Sequence, residues 1–300
     1  WSCPICWWPW AGCDGRPVVG YHFPGRVPLF RAALMMSLAL VLTAPPASAG
    51  APCTLVFCAP GYPGDTEEAQ PTMDALAAGL AATAGGLSAV YHQDGAEGLE
   101  RLGREDAALA MVTLPFYLRH HRELQLQPLL AGLAAGGGDR TWSLVAAKGS
   151  LGGPVDLDGW TVIGLPAYHP GLVYGPVLSG WGKPPESAEI RFSGRALSGL
   201  RKASRGEPVA VLLDPTQVDA LSSLPYGDAL EVVHTSGPLP TSLLCSVAGR
   251  LPEDRVKQLV ERFRTLHQDR EGAGLLQTIR MERFVDLDRG ELQRIVEASD

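Results

Sequence analysis

Residues 162–174 read VIGLPAYHPGLVY. The apolar run from Val162 to Leu165 suits a strand buried on both faces. Tyr168-His169-Pro170-Gly171 is a turn, and Pro170 suits the first turn of a following helix. Strand, tight turn and helix together make the repeating unit of an α/β sheet, and such sheets hold ligands at the turns that follow their strands. The question is whether this turn is a site or only a connection.

The same unit recurs on both sides. Thr54 to Cys58 (TLVFC), Leu87 to Tyr91 and Ala107 to Val112 read as strands, as does PVAVLLD from Pro208 to Asp214. The extended segments WSLVAAKGS, LEVVHTSGPLP and SLLCSVAG are further strand candidates. Helical patterns lie between them. Asp65-x-x-Glu68 has capping-box spacing, with Pro71 marking where a regular helix begins and Met73, Leu76, Ala77 and Leu80 forming its apolar face. Ala96 to Arg104 and Gly194 to Gly206 are shorter helices. PEDRVKQLVERFRTLH opens with Pro252 and presents Val256, Leu259, Val260, Phe263 and Leu266 on one side. Alternating strands and helices predict an α/β fold with mainly parallel sheets.

The beginning of the chain reads differently. Arg26 and Arg31 give a basic flank, Ala32 to Thr43 an apolar run, and Ala47-Ser48-Ala49 a small-residue cleavage signal, so residues 26–49 read as a secretory signal peptide. Pro52 before Cys53 argues against a lipid anchor. Residues 1–25 are expected to be no part of the native protein, or disordered; their Cys3-x-x-Cys6 pair with Cys13 falls short of a tetrahedral zinc set.

The 300-residue chain carries a net charge of −7. Without Arg16, Arg26, Arg31 and Asp14, the part from Gly50 onward carries about −9. That part has about 250 residues, enough for two lobes, and with no basic patch it is not expected to bind nucleic acid. Cys53 and Cys58, if they share one strand, lie ~16 Å apart and cannot bridge. A bridge from Cys245 to either remains open.

No Gly-x-Ser-x-Gly elbow, P-loop or Gly-x-Gly-x-x-Gly turn occurs. His120 and His121 are adjacent, so a helix sends their rings to different faces, and no metal or cofactor is expected. What remains are five loops at strand ends, rich in hydroxyls, aromatic rings and helix-start amides. Their candidate ligand-binding residues are Tyr62 and Thr66, then Thr113, Phe116 and Tyr117, then Tyr168 and His169, and last Asp214 and Thr216. Asp214 also reads as a helix N-cap ahead of Pro215.

The order GDTEEAQPTMDALAAGL, ALAMVTLPFYL, WSLVAAKGS…DLDGWTVIGLP, SGLRKASRGEPVAVLLDPTQVDAL and LEVVHTSGPLPTSLLCSVAG resembles the phosphate/phosphite/phosphonate family of periplasmic substrate-binding proteins of ABC transporters. The resemblance implies a two-lobed type II periplasmic-binding-protein fold, each lobe a mainly parallel sheet flanked by helices. Lobe 1 would comprise 52–144 and 237–300 and lobe 2 145–236, with crossing hinge segments near Leu144 to Ala147 and Val233 to Ser236. It implies a secreted, non-enzymatic monomer in the periplasm that captures a small polar, anionic ligand between its lobes and delivers it to an inner-membrane ABC permease. In the family the turn after the lobe-two strand carries Ser/Thr and Gly that hold a phosphorus oxyanion. Here it is Ala167-Tyr168-His169-Pro170-Gly171, without the hydroxyl pair. Two alternatives stand beside this one: a lyase-like enzyme on the same fold, with His169 and Asp214 as acid and base, and a ligand-sensing subunit of a membrane receptor.

Overall fold

The computed structural model describes residues 53–84, 86–135 and 141–300, all within one structural unit. Segments 1–25 and 26–49 lie outside the described residues. The chain order begins β1 (Cys53–Cys58), α1 (Thr66–Ala84), β2 (Leu87–His92), α2 (Gly95–Gly103), β3 (Ala107–Thr113), α3 (Leu114–His120), β4 (Leu126–Ala134) and β5 (Ser143–Ala147). It continues with β6 (Thr161–Gly164), α4 (Pro170–Leu172) running on as a π-turn (Val173–Val177), β7 (Glu189–Phe192), α5 (Ala196–Ala203), β8 (Val209–Leu213) and α6 (Pro215–Asp219). β9 (Leu230–Thr235), β10 (Ser242–Val247), α7 (Glu253–Thr265), α8 (Arg270–Thr278), β11 (Met281–Asp286) and α9 (Arg289–Ser299) complete it.

These strands form two sheets, ordered β11-β4-β10-β3-β1-β2 and β7-β6-β8-β5-β9. Pairing is mixed: β1, β2 and β3 run parallel, as do β7, β6 and β8, while β10, β4, β11 and the β5 ladders are antiparallel. The expectation of mainly parallel sheets therefore describes only half of each sheet. The chain passes between sheets and back, and the strands that make those passages enter with reversed direction.

The first passage lies a few residues before the expected segment, and the second begins at Ser236, the last residue of the expected one. Leu144 to Ala147 belong to β5, paired on both sides within the five-stranded sheet, and Val233 to Thr235 belong to β9. The change of sheet falls between Ala134 and Ser143 and between Thr235 and Ser242. The two passages are tied together: Trp142 N–H donates to Ser236 Oγ at 2.9 Å, and Ser236 N–H donates to the Trp142 carbonyl at 2.9 Å.

Local chemistry explains most boundaries. Asp65 Oδ1 accepts from the Glu68 N–H at 2.8 Å, so α1 begins at Thr66 and not at Pro71. Pro71 lies exposed inside the helix, where a missing N–H faces solvent. Its apolar face is as expected, with Met73, Leu76, Ala77 and Leu80 buried against β1, β3 and the Phe263–Phe284 pair. Pro252 stands one place outside α7 as its N-cap. β4 was not among the strands expected from sequence, and its Pro128 and Gly132 are residue types that weaken a strand. Pro128 sits at a register shift against β10, where a missing N–H costs no ladder bond.

α9 leaves β11 after Leu287 and Asp288, then lays Leu292, Ile295 and Val296 toward α4 and its π-turn, which carry Leu172, Val173 and Val177. The chain thus links the two halves a third time. Among the described residues no helix is long and apolar enough to cross a membrane.

Candidate functional site

The carboxyl ends of β1 and β3 face the turn after β6 across a seam, and small residues set how closely the two sides meet. Gly61 has φ +76°, a conformation that favours glycine. A methyl group placed on it would lie 2.8 Å from both Leu165 Cδ2 and Phe192 Cζ. One on Gly194 would lie 2.4 Å from the Gly61 carbonyl oxygen. On the other flank, methyl groups on Gly171 and Gly175 would lie 1.8 Å from the Ser299 and 2.0 Å from the Ala298 carbonyl oxygens. Backbone therefore meets backbone at both flanks.

Tyr168 reaches across this seam. Its ring stacks on Phe116 of α3, with centroids 5.9 Å apart and planes inclined by 18°, and meets Phe192 edge-on at 5.1 Å. The Arg119 guanidinium lies 5.1 Å from the ring centroid and donates to the Tyr168 carbonyl at 3.0 Å. The hydroxyl lies 3.1 Å from His120 Nε2 and presses on Gly95, where an added methyl would sit 2.3 Å from it. Because Glu123, 3.4 Å from His120 Nδ1, can only accept, Nδ1 carries the proton and Nε2 accepts from the Tyr168 hydroxyl. Burial lowers the pKa of His120 and raises that of Tyr168, so both are neutral here at pH 7.

His169 turns the other way. Its Nε2 donates to the Ser299 carbonyl at 3.1 Å, and burial followed by the nearby Arg119 charge outweighs that bond to lower its pKa. Asp214 Oδ1 accepts from the Gln217 N–H at 3.0 Å while Gln217 returns the bond to the Asp214 N–H at 3.1 Å, a complete capping box. His169 and Asp214 are thus engaged at the starts of two different helices, and this geometry gives the acid–base pairing no support.

Of the nine candidate residues, the structure brings Phe116 and Tyr168 into contact, with His169 beside them. Tyr117 is buried and stacks on His121 at 4.8 Å. Thr113 is buried at the start of α3 and pairs across to Ser242. Thr66 opens α1, Thr216 is exposed on α6, and Tyr62, half-buried, donates its N–H to the Ala59 carbonyl. Sequence reasoning missed Arg119, His120 and Phe192. A signal for two of them existed, since Arg119 and His120 stand three and four places after Phe116 on one helical face.

Other features are structural. Cys53, Cys58 and Cys245 are free and buried, and burial raises all three pKa values. Among the described residues no three His, Cys, Asp or Glu side chains are placed to hold a metal. A cavity of ≈ 320 Å³ borders Leu99, Leu124, Gln125 and Arg250. The Arg250 guanidinium there is spent on the Leu102, Arg104 and Ala107 carbonyls at 2.6–2.7 Å, which closes the end of α2.

Comparison with known proteins agrees with this architecture. XAC2383 from Xanthomonas citri, solved with chloride and with ATP, superposes at TM-scores of 0.65 and 0.64 with 15% identity, covering 82% of this chain and 97% or 96% of that one. A binding-protein component of an ABC phosphonate transporter from Pseudomonas aeruginosa gives 0.60 at 13% identity, covering 82% and 85%. PhnD1 from Prochlorococcus marinus in complex with methylphosphonate gives 0.57 at 13% identity, covering 82% and 96%. These likenesses fix the two-lobed α/β fold. No curated protein matches in sequence. The family model for the ABC transporter, phosphonate, periplasmic substrate-binding protein matches residues 61–292. Its span covers most of the chain, and the chain belongs to that family of solute-binding proteins.

Proposed function

We propose that this family member captures a small anion in the seam between its two sheets, with the turn Ala167–Gly171 and the start of α3 as opposing walls, and delivers it from the periplasm to an ABC permease in the inner membrane. The carrying observation is the meeting of Tyr168 with Phe116, Arg119 and His120 across the seam. Arg119 has no carboxylate partner within ion-pair distance among the described residues, so it is a cation available to an anionic solute. Export through the 26–49 signal, hinge movement at the passages beside Trp142 and Ser236, and non-enzymatic action complete the reading. Solved structures of the same fold carry methylphosphonate in one case and ATP in another, so the fold accommodates phosphorus oxyanions of different size.

The test is a thermal-shift screen of residues 50–300 against phosphate, phosphite, methylphosphonate, carboxylates and amino acids. A ligand at 100 times its Kd stabilises the folded state by about 2.7 kcal/mol. An upshift with phosphorus oxyanions and unaltered ligand on recovery supports the proposal. Absence of a shift with every anion, or recovery of a converted compound, overturns it.

A further inference from the structure

The side chain that fills the seam describes what the seam prefers. Tyr168 belongs to the turn after β6, yet nearly every group that holds its ring comes from the other side: the Phe116 face, the Arg119 guanidinium, the His120 nitrogen and the Gly95 backbone. Among the ring contacts of the described residues, that with Phe192, 39% exposed, comes from its own side. When the two halves separate, Tyr168 leaves with its turn. Phe116, Arg119, His120 and Gly95 then remain as a box with one flat aromatic wall, one cation, one nitrogen acceptor and no methyl group on its floor.

Resting on the anion-capture reading above, we infer that this box is a ring-binding subsite, that Tyr168 fills it in the empty protein, and that the ligand is an anion carrying a planar ring. Phe116 supplies a stacking face for the ring. The Arg119 guanidinium lies 5.1 Å from the centre of the ring position and gives up its bond to the Tyr168 carbonyl when that turn departs, so it is placed to pair with an acidic group on the incoming ring. The turn also lacks the hydroxyl pair that would enclose a bare oxyanion. A ring-bearing anion restores what a small one lacks here, because it gains the Phe116 face as well as the Arg119 charge, whereas methylphosphonate gains only the charge.

The measurement is titration calorimetry with phenylphosphonate, methylphosphonate and p-cresol on the wild type, on Tyr168→Ala and on Tyr168→Ala/Arg119→Gln. In the wild type phenylphosphonate is expected to bind at least tenfold tighter than methylphosphonate. Tyr168→Ala, with its ring box vacated, is expected to bind phenylphosphonate tighter still and to bind p-cresol, the tyrosine ring itself. Adding Arg119→Gln should weaken phenylphosphonate at least tenfold and p-cresol clearly less, since p-cresol loses only the cation–ring contact and keeps the Phe116 face and the His120 acceptor. Equal affinity of the wild type for the two phosphonates overturns the inference while leaving anion capture intact. Binding of p-cresol to Tyr168→Ala with no binding of either phosphonate to any form instead supports the ring box and removes anion capture. If Tyr168→Ala fails to melt cooperatively, the wild-type comparison alone decides.

Discussion

The Nε2 atom of His169, on the turn after β6, donates to the Ser299 carbonyl oxygen 3.1 Å away at the end of α9. One hydrogen bond thus joins the turn that faces the seam to the last helix of the chain. Replacing His169 with Ala removes a bond worth about 1 kcal/mol, which for a chain of this size lowers the melting temperature by about 2–4 °C. Calorimetry of the variant checks it, and an unchanged melting temperature would show that α9 is held by its apolar face alone.

The same histidine, with His120, sets an acid limit. Both have pKa values below the ordinary 6.5 in the folded state, chiefly through burial. Below pH 6.5 the unfolded chain therefore binds protons that the folded chain does not, and stability falls as pH falls. The melting temperature should drop between pH 7.5 and pH 5, and the slope should flatten in His120→Gln/His169→Gln. Asp106, held near 2 by its bond to Arg101 and then by Thr54, loses its contribution only at lower pH and does not share this window. A slope unaffected by the double variant would assign the acid sensitivity elsewhere.

Gly61 combines a positive φ with contact against Leu165 and Phe192. Gly61→Ala should cost about 1–2 kcal/mol from backbone strain and push the seam apart. Urea unfolding measures the first effect and small-angle scattering the second. A variant as stable and as compact as wild type would mean that the seam opens at no cost.

Arg250 offers a control far from the seam. Its Nη1 donates to three backbone carbonyls, those of Leu102 and Arg104 at the end of α2 and that of Ala107 at the start of β3. Arg250→Met leaves these acceptors unmet and should cost about 1–3 kcal/mol, with Lys a poor substitute because it lacks the planar fork. Anion binding should be unaffected, and a loss of binding would show that the two regions communicate.

The three thiols should stay silent toward a thiol reagent in the native protein and all react in guanidinium, since Cys53, Cys58 and Cys245 are free, buried and poorly ionised. Fast native labelling would mean that the strands carrying them open locally.

The parts of the fold readable in advance were those written in local pattern. β1, β3 and β8 are nearly continuous apolar runs, and the faces of α1 and α7 recur at helical spacing, so most of their buried residues were named, although Val256 and Val260 of α7 are only partly covered. β4 and the antiparallel pairings were not readable, because strand direction depends on which distant segment pairs with which. The site was half legible. The turn at Tyr168 stood out as chemistry at a strand end, but its partners Arg119, His120 and Phe192 lie 24 to 49 residues away. Asp214, attractive as a charged residue at a strand end, is engaged in capping α6, as its Pro215 neighbour had suggested.

The third link through α9 has a consequence for rates. α9 hangs from β11 by Leu287 and Asp288 and rests its apolar side on α4. Every opening of the seam must either bend that two-residue link or strip Leu292, Ile295 and Val296 from the π-turn, and the second route exposes apolar surface to water. An opening of this kind would gate access to the seam from within the molecule. At low concentration solute uptake is expected to rise in proportion to solute, slowed below the diffusional encounter rate by the small open fraction, and to level off at the pace of this internal step as solute is added.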